Sequence, residues 1–275
     1  MKQTCAICPR RCELAEGQTG FCRARTNRDG VIACANYARV TSLALDPIEK
    51  KPLRRFYPGS KILSVGSYGC NLACPFCQNS DISMAGEDGV GWRIVTPQEL
   101  IERAEALKDA GNIGIAFTYN EPLIGCEYVK DCAVLAKQAG LRTVLVTNGS
   151  ILSEPWLALL PLIDAANIDL KAFTEEGYRS LGGDLETVKT AIALAAERIH
   201  VEVTSLIVPG LNDGEGEMRA EAKWLAALPG EAALHISRFF PMYHMRNCPP
   251  TPLETIDKLT AIAREYLPYV YRGNC

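Results

Sequence analysis

The chain has little that would tie it to a membrane or to a polyanion. No uninterrupted apolar run reaches the roughly eighteen residues that a transmembrane helix needs, and the opening Met1-Lys2-Gln3-Thr4-Cys5 lacks the apolar stretch of a signal peptide. The expected location is therefore cytoplasmic, with no membrane association. Formal net charge is −3, and no block of like charge reads as a nucleic-acid or membrane tail, so no nucleic-acid partner is expected. Histidine is scarce: His200, His235 and His244 are the only three. Internal repeats and low-complexity segments are absent.

Cysteine, by contrast, is abundant, with twelve in 275 residues. Disulfides in an exported protein and metal ligation in a reducing compartment are the two explanations, and the missing signal peptide favours metal. Spacing points the same way. Seven of the twelve fall into two tight groups, Cys5, Cys8, Cys12 and Cys22, then Cys70, Cys74 and Cys77.

From Lys61 onward, short apolar runs alternate with longer amphipathic segments, the pattern of repeated βα units and a parallel sheet. Six strands are expected, at Lys61 to Gly66, Ile113 to Phe117, Thr143 to Val146, Ala165 to Leu170, His200 to Ile207 and Ala233 to Phe239. Thr96-Pro97-Gln98-Glu99 and Thr251-Pro252-Leu253-Glu254 read as capping boxes that start helices. Gly111 and Gly140 read as helix terminators. Six units make a partial (βα)6 TIM-like barrel of α/β class, whose chemistry belongs at the C-terminal ends of the strands. Residues 1–60 lie outside this repeat and are expected to form a Cys-rich metal-binding extension, with 61–275 as the barrel.

The run Gly69-Cys70-Asn71-Leu72-Ala73-Cys74-Pro75-Phe76-Cys77 follows the first strand directly, which puts three thiols at the catalytic rim. Most cubane clusters are held by four cysteines, so three leave one iron open to a small molecule. A zinc ion that borrows a fourth ligand from elsewhere is the structural alternative. The C-x3-C-x2-C spacing, with Phe76 before the last cysteine, resembles the radical S-adenosylmethionine (SAM) superfamily. That resemblance implies a [4Fe-4S] cluster at Cys70, Cys74 and Cys77 whose open iron binds SAM.

Polar residues at the other strand ends are candidates for cofactor binding. Asn120-Glu121-Pro122 resembles the GGEP-like segment of radical SAM activating enzymes, which places Asn120 and Glu121 near SAM. Asn148 follows the third strand. Asp169 and Lys171 share one strand face by the period of two, as do Glu202 with Thr204 and His235 with Ser237. Asp169 and Lys171 suit either a structural ion pair or contacts to SAM. Glu202, Thr204, His235 and Ser237 suit SAM or substrate.

Taken together, the segments CAICPRRCELAEGQTGFC (5–22), DPIEKKPLRRFYPGS (46–60), GCNLACPFCQN (69–79), TYNEP (118–122), VTNG (146–149), NIDLKAF (167–173) and VPGLND (208–213) resemble the radical SAM component of the AmmeMemoRadiSam system, a relative of pyruvate formate-lyase activating enzyme. The resemblance implies reductive cleavage of SAM to a 5'-deoxyadenosyl radical that abstracts hydrogen from a substrate. It also implies a flavodoxin or ferredoxin as electron donor and Memo-type or AMMECR-type proteins as partners. Activation of a glycyl-radical enzyme is an alternative, against which stands Val146, where such activases place an acid before the TNG triplet. A non-catalytic metal-binding scaffold in a multiprotein assembly is a third reading. The group Cys5, Cys8, Cys12 and Cys22 offers four thiolates within eighteen residues, enough for structural zinc or a second iron–sulfur cluster. Zinc would hold the extension together; a cluster would relay an electron or anchor substrate.

Overall fold

The computed structural model describes residues 1–275. An eight-stranded sheet dominates it: β1 (Ser42–Pro47), β2 (Lys61–Gly66), β3 (Asn112–Phe117), β4 (Arg142–Thr147), β5 (Ala165–Asp169), β6 (His200–Ile207), β7 (Ala233–Arg238) and β8 (Val270–Gly273). Every strand neighbours the next in sequence. The pairings from β2 to β8 are parallel, and only β1 on β2 is antiparallel. Helices follow the strands, as the βα pattern requires. The six expected strands are all present within a residue or two of the expected bounds.

Two strands lie outside the six-unit pattern. β8 extends the parallel run. β1 belongs to the stretch expected in the extension, yet it pairs with β2 along its length, from Ser42 opposite Gly66 to Pro47 opposite Lys61. The boundary expected at residue 60 therefore cuts through the sheet, and the extension proper ends before Ser42. Its antiparallel ribbons are short, Gln3–Thr4 with Glu13–Leu14 and Arg25–Arg28 with Val31–Cys34.

The expected helix signals divide. Thr96 forms a complete capping box, its hydroxyl accepting from the Glu99 amide while Glu99 reaches back to the Thr96 amide. Thr251 does not cap: the last helix starts at Leu253, and the Thr251 hydroxyl instead donates to Ile207 O at 2.6 Å. Tertiary bonding has outcompeted the local motif. Gly111 and Gly140 both adopt left-handed φ, +90° and +68°, and end their segments.

Alternation along the strands sorts side chains onto two faces. Ile115, Leu145, Ala166, Ile168, Val203, Leu234 and Ile236 pack outward into the main core under the helices. The inner face changes character along its length. At the N-terminal ends, Ile62, Ala116, Val144 and Ala165 pack with Ile48, Leu53 and Phe56 from the segment after β1, which plugs the floor. Polar bonds lock this plug: Asn167 Nδ2 donates to Pro52 O at 3.0 Å, and Glu202 accepts from the amides of Arg54 and Arg55 at 3.0 and 2.7 Å.

Glu202 also accepts from His200 and His235, at 3.0 and 2.6 Å, and its side chain is 0% exposed. Burial opposes its charge, but these donors outweigh burial and hold the carboxyl down to about 2, against 4.5 ordinarily. A depressed carboxylate stabilises the fold fully above the ordinary glutamate range, and that stabilisation is lost as pH falls toward about 2. Glu202→Ala is therefore expected to cost about 3–5 kcal/mol in urea melts at pH 7, with the gap to wild type shrinking in acid. Equal midpoints at pH 7 would contradict this anchoring role.

Candidate active site

Above the plug the barrel opens into a cavity of about 440 Å³. Cys70, Cys74, Phe76 and Cys77 line one end, and polar ends of β3 to β7 complete the ring. Lys50, Lys51 and Pro52, just past β1, and Asn274, just past β8, line it too. The two ends of the sheet therefore curl round to flank the same space.

The cysteine loop is held from several sides. Gly69 N donates to Ile82 O at 2.9 Å, Ala73 N to Leu181 O at 2.9 Å, and His244 N to Pro75 O at 2.9 Å. Asn120 commits its side chain here: Oδ1 accepts from Ser67 N at 2.9 Å, and Nδ2 donates to Tyr68 O and Gly69 O at 3.1 and 3.2 Å. Gly69 has φ +88°, and a Cβ there would meet Cys22 O at 2.3 Å, so only glycine fits.

Glu121 is buried at the end of β3, and its carboxylate accepts from Leu123 N at 2.9 Å, Thr147 Oγ1 at 2.6 Å and Asn148 N at 2.8 Å. Burial pushes its carboxyl up to about 7, against the pull of these donors. All three bonds go to the chain, so Glu121 fixes the turn after β4. That turn presents Asn148, whose Nδ2 donates to Asn71 Oδ1 at 2.9 Å and faces Cys70 Sγ at 3.6 Å. Leu72 N adds a second donor to Cys70 Sγ at 3.4 Å.

Asp169 and Lys171 both line the cavity and pair at 2.9 Å. Burial works against the lysine charge, but Asp169 and Cys74 hold its ammonium well above the usual lysine range. Ser237 also reaches the cavity. Thr204 lines it as well, whereas His235 and Glu202 do not: they lie lower on β7 and β6, bonded to each other in the floor network. Position along the strand separates Ser237 from His235, and Thr204 from Glu202, although each pair shares a face.

Lys51, Tyr119 and Asp46 form a wall that sequence reasoning missed. Lys51, with its side chain 3% exposed, donates to Asp46 Oδ2 at 2.9 Å, and Tyr119 OH donates to the same oxygen at 2.7 Å. Although burial opposes its charge, these donors hold the Asp46 carboxyl at about 2. Tyr119 adopts φ +72°, and its ring occupies the space that a side chain at Gly66 would need. Backbone strain of this kind concentrates at functional sites. The Lys50-Lys51 pair precedes the first expected strand, so no strand-end rule pointed to it.

Burial pushes the Cys74 thiol up to about 11 and the Cys70 thiol higher still. Thiols this buried become thiolates only beside a cation. Three soft donors at one end, with amides directed at Cys70, suit a cluster with one iron free of protein thiolate. No group of three or more His, Cys, Asp or Glu side chains is arranged to hold a single metal ion.

A fold with this cysteine loop at the rim of a parallel half-barrel defines a class. The chain belongs to the Radical SAM superfamily, which it matches over residues 64–224. An uncharacterized protein of Methanocaldococcus jannaschii is 42% identical over 276 residues, covering 99% of this chain and 81% of that one. The pyruvate formate-lyase 1-activating enzyme of Escherichia coli is 23% identical over 216 residues, 72% of this chain and 86% of that enzyme. In fold, a crystallised radical SAM methyltransferase from Sphaerobacter thermophilus superposes with a TM-score of 0.60 at 18% identity, covering 80% and 68% of the two chains. The chain is thus a radical SAM enzyme, for which iron–sulfur and SAM binding are implied. No helix is long and apolar enough to cross a membrane.

Gly69→Ala is expected to destabilise the protein by more than the roughly 1–3 kcal/mol of left-handed strain alone, because Cys22 O blocks the added methyl. Thermal melts check this, with iron uptake falling in parallel. An unchanged midpoint would contradict the close approach.

Proposed function

We propose that this enzyme reductively cleaves SAM to a 5'-deoxyadenosyl radical, which abstracts hydrogen from a small substrate held in the barrel. The observation that carries the reading is the arrangement of three thiols, and only three, at the end of a cavity ringed by polar side chains. Cys70, Cys74 and Cys77 would hold a [4Fe-4S] cluster, which when bound supplies one low-potential electron to the sulfonium of SAM. Asn120 and Glu121 act by holding the loop and the turn around it, Asn148 by directing an amide at Cys70. Asp169 and Lys171 offer a carboxylate for ribose hydroxyls and an ammonium for the SAM carboxylate. Ser237 and the Lys51–Asp46–Tyr119 wall face substrate, and the floor plug excludes water from the radical.

The quoted sequence segments support a finer assignment, to the radical SAM component of the AmmeMemoRadiSam system. Memo-type and AMMECR-type proteins would then be its partners, and a flavodoxin or ferredoxin its reductant. Glycyl-radical activation is the second reading, supported by similarity to pyruvate formate-lyase activating enzyme.

Anaerobic reconstitution with iron and sulfide, followed by reduction and addition of SAM, is expected to yield 5'-deoxyadenosine. Cys74→Ala should lower the yield at least ~100-fold, since loss of a cluster ligand removes the transition-state machinery as a whole. Folding is monitored by circular dichroism. Equal yields from folded variant and wild type would overturn the assignment.

A further inference from the structure

Lys50 and Lys51 stand together at the wall of the cavity, with one carboxylate, Asp46, between them. Lys51 is 3% exposed; its ammonium donates to Asp46 Oδ2 at 2.9 Å and lies over the Tyr119 ring, 4.6 Å from the centroid. An ammonium carries three donors, and Asp46 fills one of them. The ring holds the charge in place by its attraction for a cation, while the Tyr119 hydroxyl is spent on the same Asp46 oxygen at 2.7 Å. A buried ammonium with donors unfilled calls for acceptors, and the open side of Lys51 is the cavity.

Lys50 breaks the balance of charge on this wall. Its Nζ lies 3.7 Å from Asp46 Oδ1, beyond a hydrogen bond, and its side chain is 68% exposed. The other acids that line the cavity are committed elsewhere. Asp169 pairs with Lys171 at 2.9 Å, and Glu121 takes three donors from the chain. Neighbouring Glu49 accepts from Gly59 N at 2.7 Å. Two ammonium groups against one carboxylate therefore leave one positive charge in excess. An ion pair that only tied the end of β1 to the plug would need one lysine, not two. Low-dielectric walls focus such a field inside a cleft.

We propose that Lys50 and Lys51 bind an oxyanion, so that the substrate of this enzyme is a small molecule carrying a carboxylate or phosphate group. The inference rests on the SAM-cleavage reading above and narrows it. Lys51, fixed by Asp46 and Tyr119, sets where the anionic group sits, and Lys50 supplies the unbalanced charge. No arginine lines the cavity, so the group is held by point charges and single hydrogen bonds rather than by a guanidinium fork. A glycyl backbone, the target in the second reading, has no charge to offer this wall.

The test titrates anaerobically reconstituted, unreduced protein with sodium acetate, sodium phosphate and, as the neutral control, acetamide, by calorimetry at low ionic strength with SAM in excess. Wild type should bind acetate or phosphate at least ~10-fold more tightly than acetamide, the scale of one charge-assisted hydrogen bond. Tighter phosphate assigns a phosphate ester, tighter acetate a carboxylic acid. Lys50→Gln should weaken anion binding ~10-fold. Lys51→Met/Asp46→Asn removes a charge with its partner and leaves the net charge of the wall unchanged, yet it too should weaken anion binding, because the fixed donor is gone. If that double variant fails to fold by circular dichroism, Lys50→Gln, altered at an exposed side chain, carries the test. Acetamide bound as tightly as the anions would overturn the proposal, as would anion affinities unchanged in Lys50→Gln or in the folded double variant. The same preparations, once reduced, are assayed for 5'-deoxyadenosine. Charge-dependent binding without 5'-deoxyadenosine would fail the earlier reading alone; 5'-deoxyadenosine without preference for anions would fail this one alone.

Discussion

The rim of this barrel depends on one buried carboxylate. Glu121 ties the end of β3 to the end of β4 through Thr147 and the Asn148 amide, and to its own chain through Leu123. Three donors on a buried carboxylate fix the backbone around it more firmly than any apolar contact of the same size would. What it fixes is the turn carrying Asn148, and Asn148 in turn holds Asn71 and faces Cys70. The cysteine loop is otherwise a stretch without regular structure, and such a loop keeps three thiols in place only when its surroundings specify it.

The floor follows the same logic with Glu202 in the corresponding role. A barrel interior closed at one end needs a plug, and the plug needs its own amides satisfied. Ile48, Leu53 and Phe56 supply apolar bulk, while Glu202 and Asn167 supply acceptor and donor. Between floor and rim the cavity is lined by Lys51, Lys171 and Asp169, the first paired with Asp46 behind it and the other two with each other. Charges paired across a cavity can be re-partnered by a polar ligand, whereas a wholly apolar lining would offer none.

Much of this was legible in the sequence because it follows from periodicity. The six strands, the capping box at Thr96 and the joint orientation of Asp169 and Lys171 all come from local pattern. Membership of the Radical SAM superfamily was legible from the cysteine loop at Cys70 to Cys77. What escaped depends on depth or on distant partners. His235 and Ser237 share a face, but alternation carries no information on which end of the strand meets the cavity. Thr251 looked like a cap until Ile207 O claimed its hydroxyl. β1 was hidden because an antiparallel edge strand before the first βα unit breaks the repeat that revealed the others.

The central claim is that three cysteines leave one iron for SAM, and hyperfine spectroscopy tests it most directly. Anaerobically loaded, reduced protein would be mixed with SAM carrying 15N at its amino group and studied by pulsed electron–nuclear double resonance. The account predicts a 15N coupling to the cluster at Cys70, Cys74 and Cys77 that is absent without SAM. An intact reduced cluster whose spectrum shows no 15N coupling at saturating SAM would contradict it.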